Sequence, residues 1–414
     1  MAAWHVRTAA WRRARGSRRR EISLLTATFG LVLLVAACDS PAAPPSGNRV
    51  PTIKVLTSAP PTQTGEIFLT PHGGGYPSGP EIVSPTGKVI WFHPLPAGAM
   101  AADFRTQTYR GRPVLTWSQF GGQGNTLTWT DYIYNDSYHR IGEVRAGNGF
   151  ATDYHEFLIT PQGTALITAT TTATADLSSM GGPSAQRVIE DAVQEIDIRT
   201  GKVLFQWNAA DHVPYSDSHF PLPESENTPW DWFHMNAAHL DTDGNLLINS
   251  RFTFATYKVS RQTGKVIWQL GGKHSTFRLQ AAAGQELNSA GAIFAYQHDP
   301  EALGRGVYTL FDDEADLATA LLAQSRAVMI RVDLTARTAT LIRSYDQPAG
   351  LLSRAQGNAQ TTRNGDLFVG WGTLPYISEF SPSGRLVFNA KLPPHVGSYR
   401  AYRLPWHQRG LSAS

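Results

Sequence analysis

The same turn, followed by the same kind of strand, recurs along this 414-residue chain. "SPTGKVIWFHPL" (84–95), "DIRTGKVLFQW" (197–207), "SRQTGKVIWQL" (260–270) and "SPSGRLVFNAKL" (381–392) carry it, and "DLTARTATLIRSY" (333–345) is a worn copy. A second element precedes several of them: "LITPQGTALITAT", "LDTDGNLLINSR", "ALGRGVYTLFDD" and "TTRNGDLFVGWG", with "YRGRPVLTWSQ" a fainter member. Each reads as strand, glycine-centred tight turn, strand. A unit is therefore a meander of about four short strands, with a pitch of 63 residues between Gly201 and Gly264. The best helical stretch, "EADLATALLAQSRAV", is short and lies between strands. Repeated four-stranded units fit a radial β-propeller better than a sandwich, because closing the ring protects the strand edges. The pattern predicts an all-β fold of six blades over 59–406. The first blade is completed by the C-terminal "SYRAYRLPW", and 407–414 is left as a tail.

Ahead of the repeats lies a segment of another kind. Six arginines between Arg12 and Arg20 are followed by "ISLLTATFGLVLLVAA" and then Cys38. That apolar run is short for a membrane span and suits a signal-peptide core. Its end, "VAAC", reads as a lipobox, so 1–37 is expected to be a lipoprotein signal peptide and Cys38 the lipidated residue. "RRREIS" is a weak match to a twin-arginine export signal. The Pro/Ser-rich segment 38–58 follows as a tether, and the expected location is outside the cytoplasm, held to the membrane by the lipid alone. The signal holds seven of the 36 Lys+Arg and one of the 33 Asp+Glu, which leaves 29 against 32, or about −3. The basic pI therefore belongs to the signal, and no basic cluster outside it suggests nucleic-acid binding. With one cysteine, no intramolecular disulfide can form.

Propeller geometry gives a meaning to "DWFHMNAAHLDTDGNLLINSR". The innermost strand of a blade crosses the disc and the second returns, so His234 and Arg251, at the two ends of one hairpin, share a face near the axis. His155 stands eight residues before Gly163, His234 ten before Gly244 and His298 eight before Gly306. Three successive blades thus place a histidine at the same mouth. Neutral histidine is a nucleophile and general base. Arginine offers a fixed fork of donors for a tetrahedral oxyanion. Together they describe a pocket for a sulfuryl or phosphoryl group. Asn236 could add an amide donor, and Trp230, Trp232, Phe233 and Trp371 could wall an aryl group.

These residues lie in segments that resemble the bacterial arylsulfotransferases, the secreted and lipid-anchored branch. The resemblance is carried by "DWFHMNA…LLINSR…YKV…TGKVIWQLGG", "FAYQHDPE…YTLFDDE" and "GWGTLPYISEFSPSGRLVF", which span most of 60–404. It implies a six-bladed propeller and a PAPS-independent transferase. Such an enzyme moves a sulfuryl group from a small aryl sulfate to a phenolic acceptor through a sulfated histidine, in ping-pong fashion, with no cofactor or metal. By the same resemblance His298, in "QH", matches the nucleophile. His234 and Arg251 match the groups holding the sulfuryl oxygens, and His155 matches the remaining channel histidine. Phe252 stands where relatives often have a polar residue, and "FDD" (311–313) stands where "FDN" is common.

Other readings remain open on sequence. Three histidines suit zinc, but Arg251 at the same mouth would repel a dication. The "TGKV" turns are also found in quinone-dependent dehydrogenases, which have eight units and vicinal cysteines. A non-catalytic binding or scaffold propeller at the cell surface is the serious alternative, since the fold alone permits it.

Overall fold

The computed structural model describes residues 49–59, 65–122 and 127–406. The signal segment with Cys38 and the tail 407–414 lie outside the described residues. Six sheets, antiparallel but for one outer pairing, follow one another along the chain, and their inner strands touch in ring order, the last meeting the first. The fold is a six-bladed propeller.

Blade 1 has Val396–Leu404 innermost, then Glu66–Gly73, Glu81–Val83 and Val89–Phe92. The C-terminal strand thus closes the ring by pairing with the first inner hairpin, as the sequence predicts. Blades 2, 3 and 4 start from the inner strands Met100–Tyr109, Ala151–Ile159 and Met235–Leu240. Blades 5 and 6 start from His298–Gly304 and Asn358–Thr361, and each carries a fifth, outermost strand. In blade 5 this is Arg278–Ala281, parallel to Thr338–Asp346. In blade 6 it is Lys54–Ser58, antiparallel to Leu386–Lys391.

Lys54–Ser58 corrects the tether boundary. The segment expected to end at 58 enters the sheet at its last five residues and covers an outer edge that would otherwise offer free backbone groups. The stretch 314–328, the best helical candidate in the sequence, is not a helix. It forms bends and an isolated Ala315–Ala320 bridge, and then joins the strand Arg326–Asp333.

The tight turns behave as read. Gly163 and Gly244 have φ of 78° and 81°, a region that glycine alone enters freely. Each blade is apolar on both faces, so it needs a neighbour on each side, and six buried clusters fill the six gaps. The gap between blades 3 and 4 holds Trp207, Trp230, Trp232, Phe233 and Tyr257. Burying each such side chain stabilises the fold by about 1.5–3 kcal/mol. The inner strands of this packed disc carry the functional groups.

Candidate active site

His234 and Arg251 meet as the hairpin geometry requires. Met235 pairs with Ser250, and one residue further out the Arg251 N–H donates to the His234 carbonyl at 3.0 Å. His155 comes from the inner strand of blade 3, and its ring centre lies 5.0 Å from that of His234. His298 is the first residue of blade 5's inner strand. Asp313, hydrogen-bonded to its Nδ1, lies 3.9 Å from Arg251, which ties His298 to the hairpin of His234 and Arg251.

Each histidine has an aspartate behind it. The Nδ1–Oδ2 separations are 2.6 Å for His155–Asp153, 2.5 Å for His234–Asp231 and 2.6 Å for His298–Asp313. An aspartate on Nδ1 orients a ring and leaves Nε2 to face the ligand. At His298 the proton can be assigned from the partners: the Gln356 N–H donates to Nε2 at 3.2 Å, so the ring hydrogen is on Nδ1. Burial, and next the Arg251 guanidinium, holds the His298 pKa well below its ordinary value, so the imidazole is neutral. Burial raises the Asp313 carboxyl, and Arg251, 3.9 Å away, opposes that rise. Burial likewise lowers His155.

A buried amide network fixes where His298 sits. Gln297 donates through Nε2 to Asn249 Oδ1 at 2.9 Å and to the Ser250 carbonyl at 3.0 Å. Asn236 and Asn249 each donate through Nδ2 to the Gln297 carbonyl at 2.8 Å. The residue before the predicted nucleophile is thereby locked to the hairpin that carries His234 and Arg251. This corrects Asn236. It is fully buried and its amide is committed to blade 5, so it positions the strand and does not reach a ligand.

The aromatic expectations are corrected too. Trp232 and Phe233 have no exposed surface and pack between blades 3 and 4 with Trp230, while Trp371 packs between blades 5 and 6 against Phe311. They are core. The aromatic cluster nearest His234 and Arg251 is Phe252, stacked on Phe220 at 4.2 Å, with Phe254 and Tyr296. Phe252 lies 5.0 Å from the His234 ring, and Arg251 sits over the Phe252 and Tyr296 faces.

Arg251 is less open than the sequence suggests. Nη1 donates to the Tyr296 carbonyl at 3.1 Å, and Nη2 donates to the Arg354 and Ala315 carbonyls at 2.6 and 3.4 Å. Nε–H and one hydrogen on Nη1 remain to meet a ligand. His234, Tyr296, Asp299 and Gln356 have φ of 54°, 57°, 54° and 71°. Non-glycine residues in that region are strained, and such strain gathers at functional sites.

A second buried cluster was not foreseen from the sequence. Glu156 and Asp299, which follow His155 and His298, join Asp103, Arg105, His239, Arg400 and Tyr402 from the inner strands of five blades. Glu156, His239 and Asp299 are spaced closely enough for a metal ion. However, Arg400 Nη1 lies 3.2 and 3.4 Å from the same two carboxylates, and a fixed cation there opposes a dication. Burial disfavours a charged His239, but Glu156 and the hydrogen bond to Asp299 outweigh it and push the pKa up to about 10. The cluster is a charge-balanced ion network. Its signal in the sequence was the acid after His155 and after His298, which carries no pattern of its own.

With this geometry in place, the comparison with known families is decisive. Residues 120–392 match the family model described as arylsulfotransferase (ASST). The chain belongs to the arylsulfotransferase family. Membership supports aryl sulfotransferase activity in general terms, with small aryl molecules as donor and acceptor. No curated protein matches the chain. Among solved structures, it is similar to a protein of unknown function from Bacteroides caccae, at 12% identity and TM-score 0.47, over 82% of this chain and 98% of that one. It is also similar to virginiamycin B lyase from Staphylococcus aureus, at 9% identity and TM-score 0.37, over 82% and 99%. In this arylsulfotransferase-family chain, the three Asp–His pairs and Arg251 all lie on segments within the matched region.

Proposed function

We propose that the protein transfers a sulfuryl group from an aryl sulfate to a phenol, without PAPS, by way of sulfated His298. One observation supports this most: a neutral His298 whose Nδ1–H is held by Asp313, a carboxylate that also lies 3.9 Å from Arg251, so that the Nε2 lone pair is fixed in direction. In the first half-reaction Nε2 attacks sulfur, the S–O bond breaks, and the aryl oxygen leaves with the electron pair. The Gln356 N–H must give up Nε2 as sulfur arrives. Arg251 then faces the sulfuryl oxygens with its remaining donors, where charge builds in the transition state. In the second half-reaction a phenol oxygen attacks sulfur, the S–N bond breaks, and the pair returns to Nε2.

The two half-reactions share one site, so the donor's phenol must leave before the acceptor enters. With 4-nitrophenyl sulfate and phenol, double-reciprocal plots at several acceptor concentrations should be parallel. Lines that intersect to the left of the axis would mean both substrates bind together, contrary to a covalent intermediate. A protein with no turnover at all would be a binding propeller.

Cys38, outside the described residues, is proposed as the lipid anchor on the sequence pattern alone. Lipidation supplies the two or more chains that stable anchoring needs. Cys38→Ser should therefore move most of the protein from the membrane to the soluble fraction. Retention on membranes would contradict a lipobox.

A further inference from the structure

Three Asp–His pairs surround one transfer site, yet a single nucleophile needs only one, and the other two are not equivalent. The His155 side chain is 7% exposed and stacks on Tyr154 at 4.0 Å, with Tyr399 at 5.9 Å. His298 is 2% exposed. His234 is 25% exposed, and its partner Asp231 is 27% exposed. Among the described residues, His234 Nε2 has no protein partner, and beside it the buried Phe252 carries the partly exposed Phe220 stacked on it, an apolar surface suited to an aryl ring.

The family resemblance would make His234 a group that holds sulfuryl oxygens. Its hydrogen-bond partner supports a further role. With Nδ1–H given to Asp231, Nε2 is the ring nitrogen left to exchange a proton: bare, it accepts a phenol O–H, and protonated, it donates to an aryl oxygen. Resting on the transfer reaction above, we infer that His234 is the proton-transfer residue for the phenols on both sides of the reaction. Asp231 is the positioning residue that keeps its Nε2 turned to them.

The chemistry balances in both directions. As the acceptor oxygen attacks sulfated His298, its proton passes to His234 Nε2, and Asp231 stabilises the imidazolium formed. In the donor half-reaction, the microscopic reverse, the imidazolium returns a proton to the leaving aryl oxygen. A phenol with a pKa of about 10, like tyrosine's, needs this help. A strongly acidic phenol, ionised before it binds, does not. The need for Asp231 should therefore follow the acidity of the phenol, a dependence that a purely structural residue would not show.

Asp231→Asn in the full chain tests this. With 4-nitrophenyl sulfate, whose leaving group is acidic, the variant should give the wild-type burst of nitrophenol. Turnover with phenol should fall on the order of tenfold to a hundredfold. Turnover with a polychlorinated phenol already ionised in the assay should fall less than about threefold. Equal losses on both acceptors would overturn the proposal by making Asp231 structural, and so would no loss on either. The same acidity dependence in Asp153→Asn, and not in Asp231→Asn, would move the base to His155. If Asp231→Asn fails to fold, His234→Gln must show the pattern instead. A wild-type protein that turns over without a burst would contradict the sulfohistidine of the preceding subsection, while the comparison of acceptors would still report on Asp231.

Discussion

His298→Asn should abolish sulfuryl transfer, leaving no turnover above the uncatalysed rate while the protein stays folded. Asparagine keeps a similar size but has no nucleophilic nitrogen, so neither half-reaction can begin. The fold should tolerate the change, because His298 is held in place by its neighbours. Gln297 carries the amide network into blade 4, and the backbone of His298 remains paired with Phe311. A circular dichroism spectrum and melting curve close to wild type, with turnover gone, is the expected pair of results. Residual turnover within tenfold of wild type would mean that another group attacks sulfur.

Arg251→Lys should be the next most damaging change, although it keeps the positive charge. A lysine ammonium cannot bond the Tyr296 and Arg354 carbonyls together and still face a ligand, as the guanidinium can. Losing one donor aimed at a developing oxyanion costs on the order of 10²–10³ in kcat, about 2.7–4 kcal/mol. The loss should appear in kcat more than in KM, because the interaction strengthens as the sulfuryl oxygens gain charge. Near-wild-type kcat with a lowered melting temperature would instead make Arg251 a strut between blades 4 and 5.

The blade pattern and the mouth residues were legible in sequence for a physical reason. Period-two strands and glycine turns are local signals, and hairpin geometry alone puts His234 beside Arg251. What the sequence could not show was depth along the strand. Trp232, Phe233 and Trp371 stand within a few residues of the mouth, just outside their strands, yet the chain there turns them into the gaps between blades. Phe252 and Phe220, which stack beside His234, are 32 residues apart and meet only in the folded chain. The aspartates were within reach but carried little signal. Asp153 and Asp231 lie two and three residues before their histidines, while Asp313, in "FDD", lies just past the next strand, Val307–Asp312, and bonds His298 across the hairpin. The Gln356 contact comes from blade 6, and no spacing rule reaches it.

The central claim, a covalent sulfuryl group on His298, is tested most directly by mass. Wild-type protein mixed with 4-nitrophenyl sulfate and no acceptor should release one equivalent of nitrophenol and gain the mass of one sulfuryl group. The adduct should be acid-labile, map to the peptide containing "YQHDPE", and disappear when phenol is added. An adduct that maps to His155 or His234, or one that persists in His298→Asn, would contradict the account.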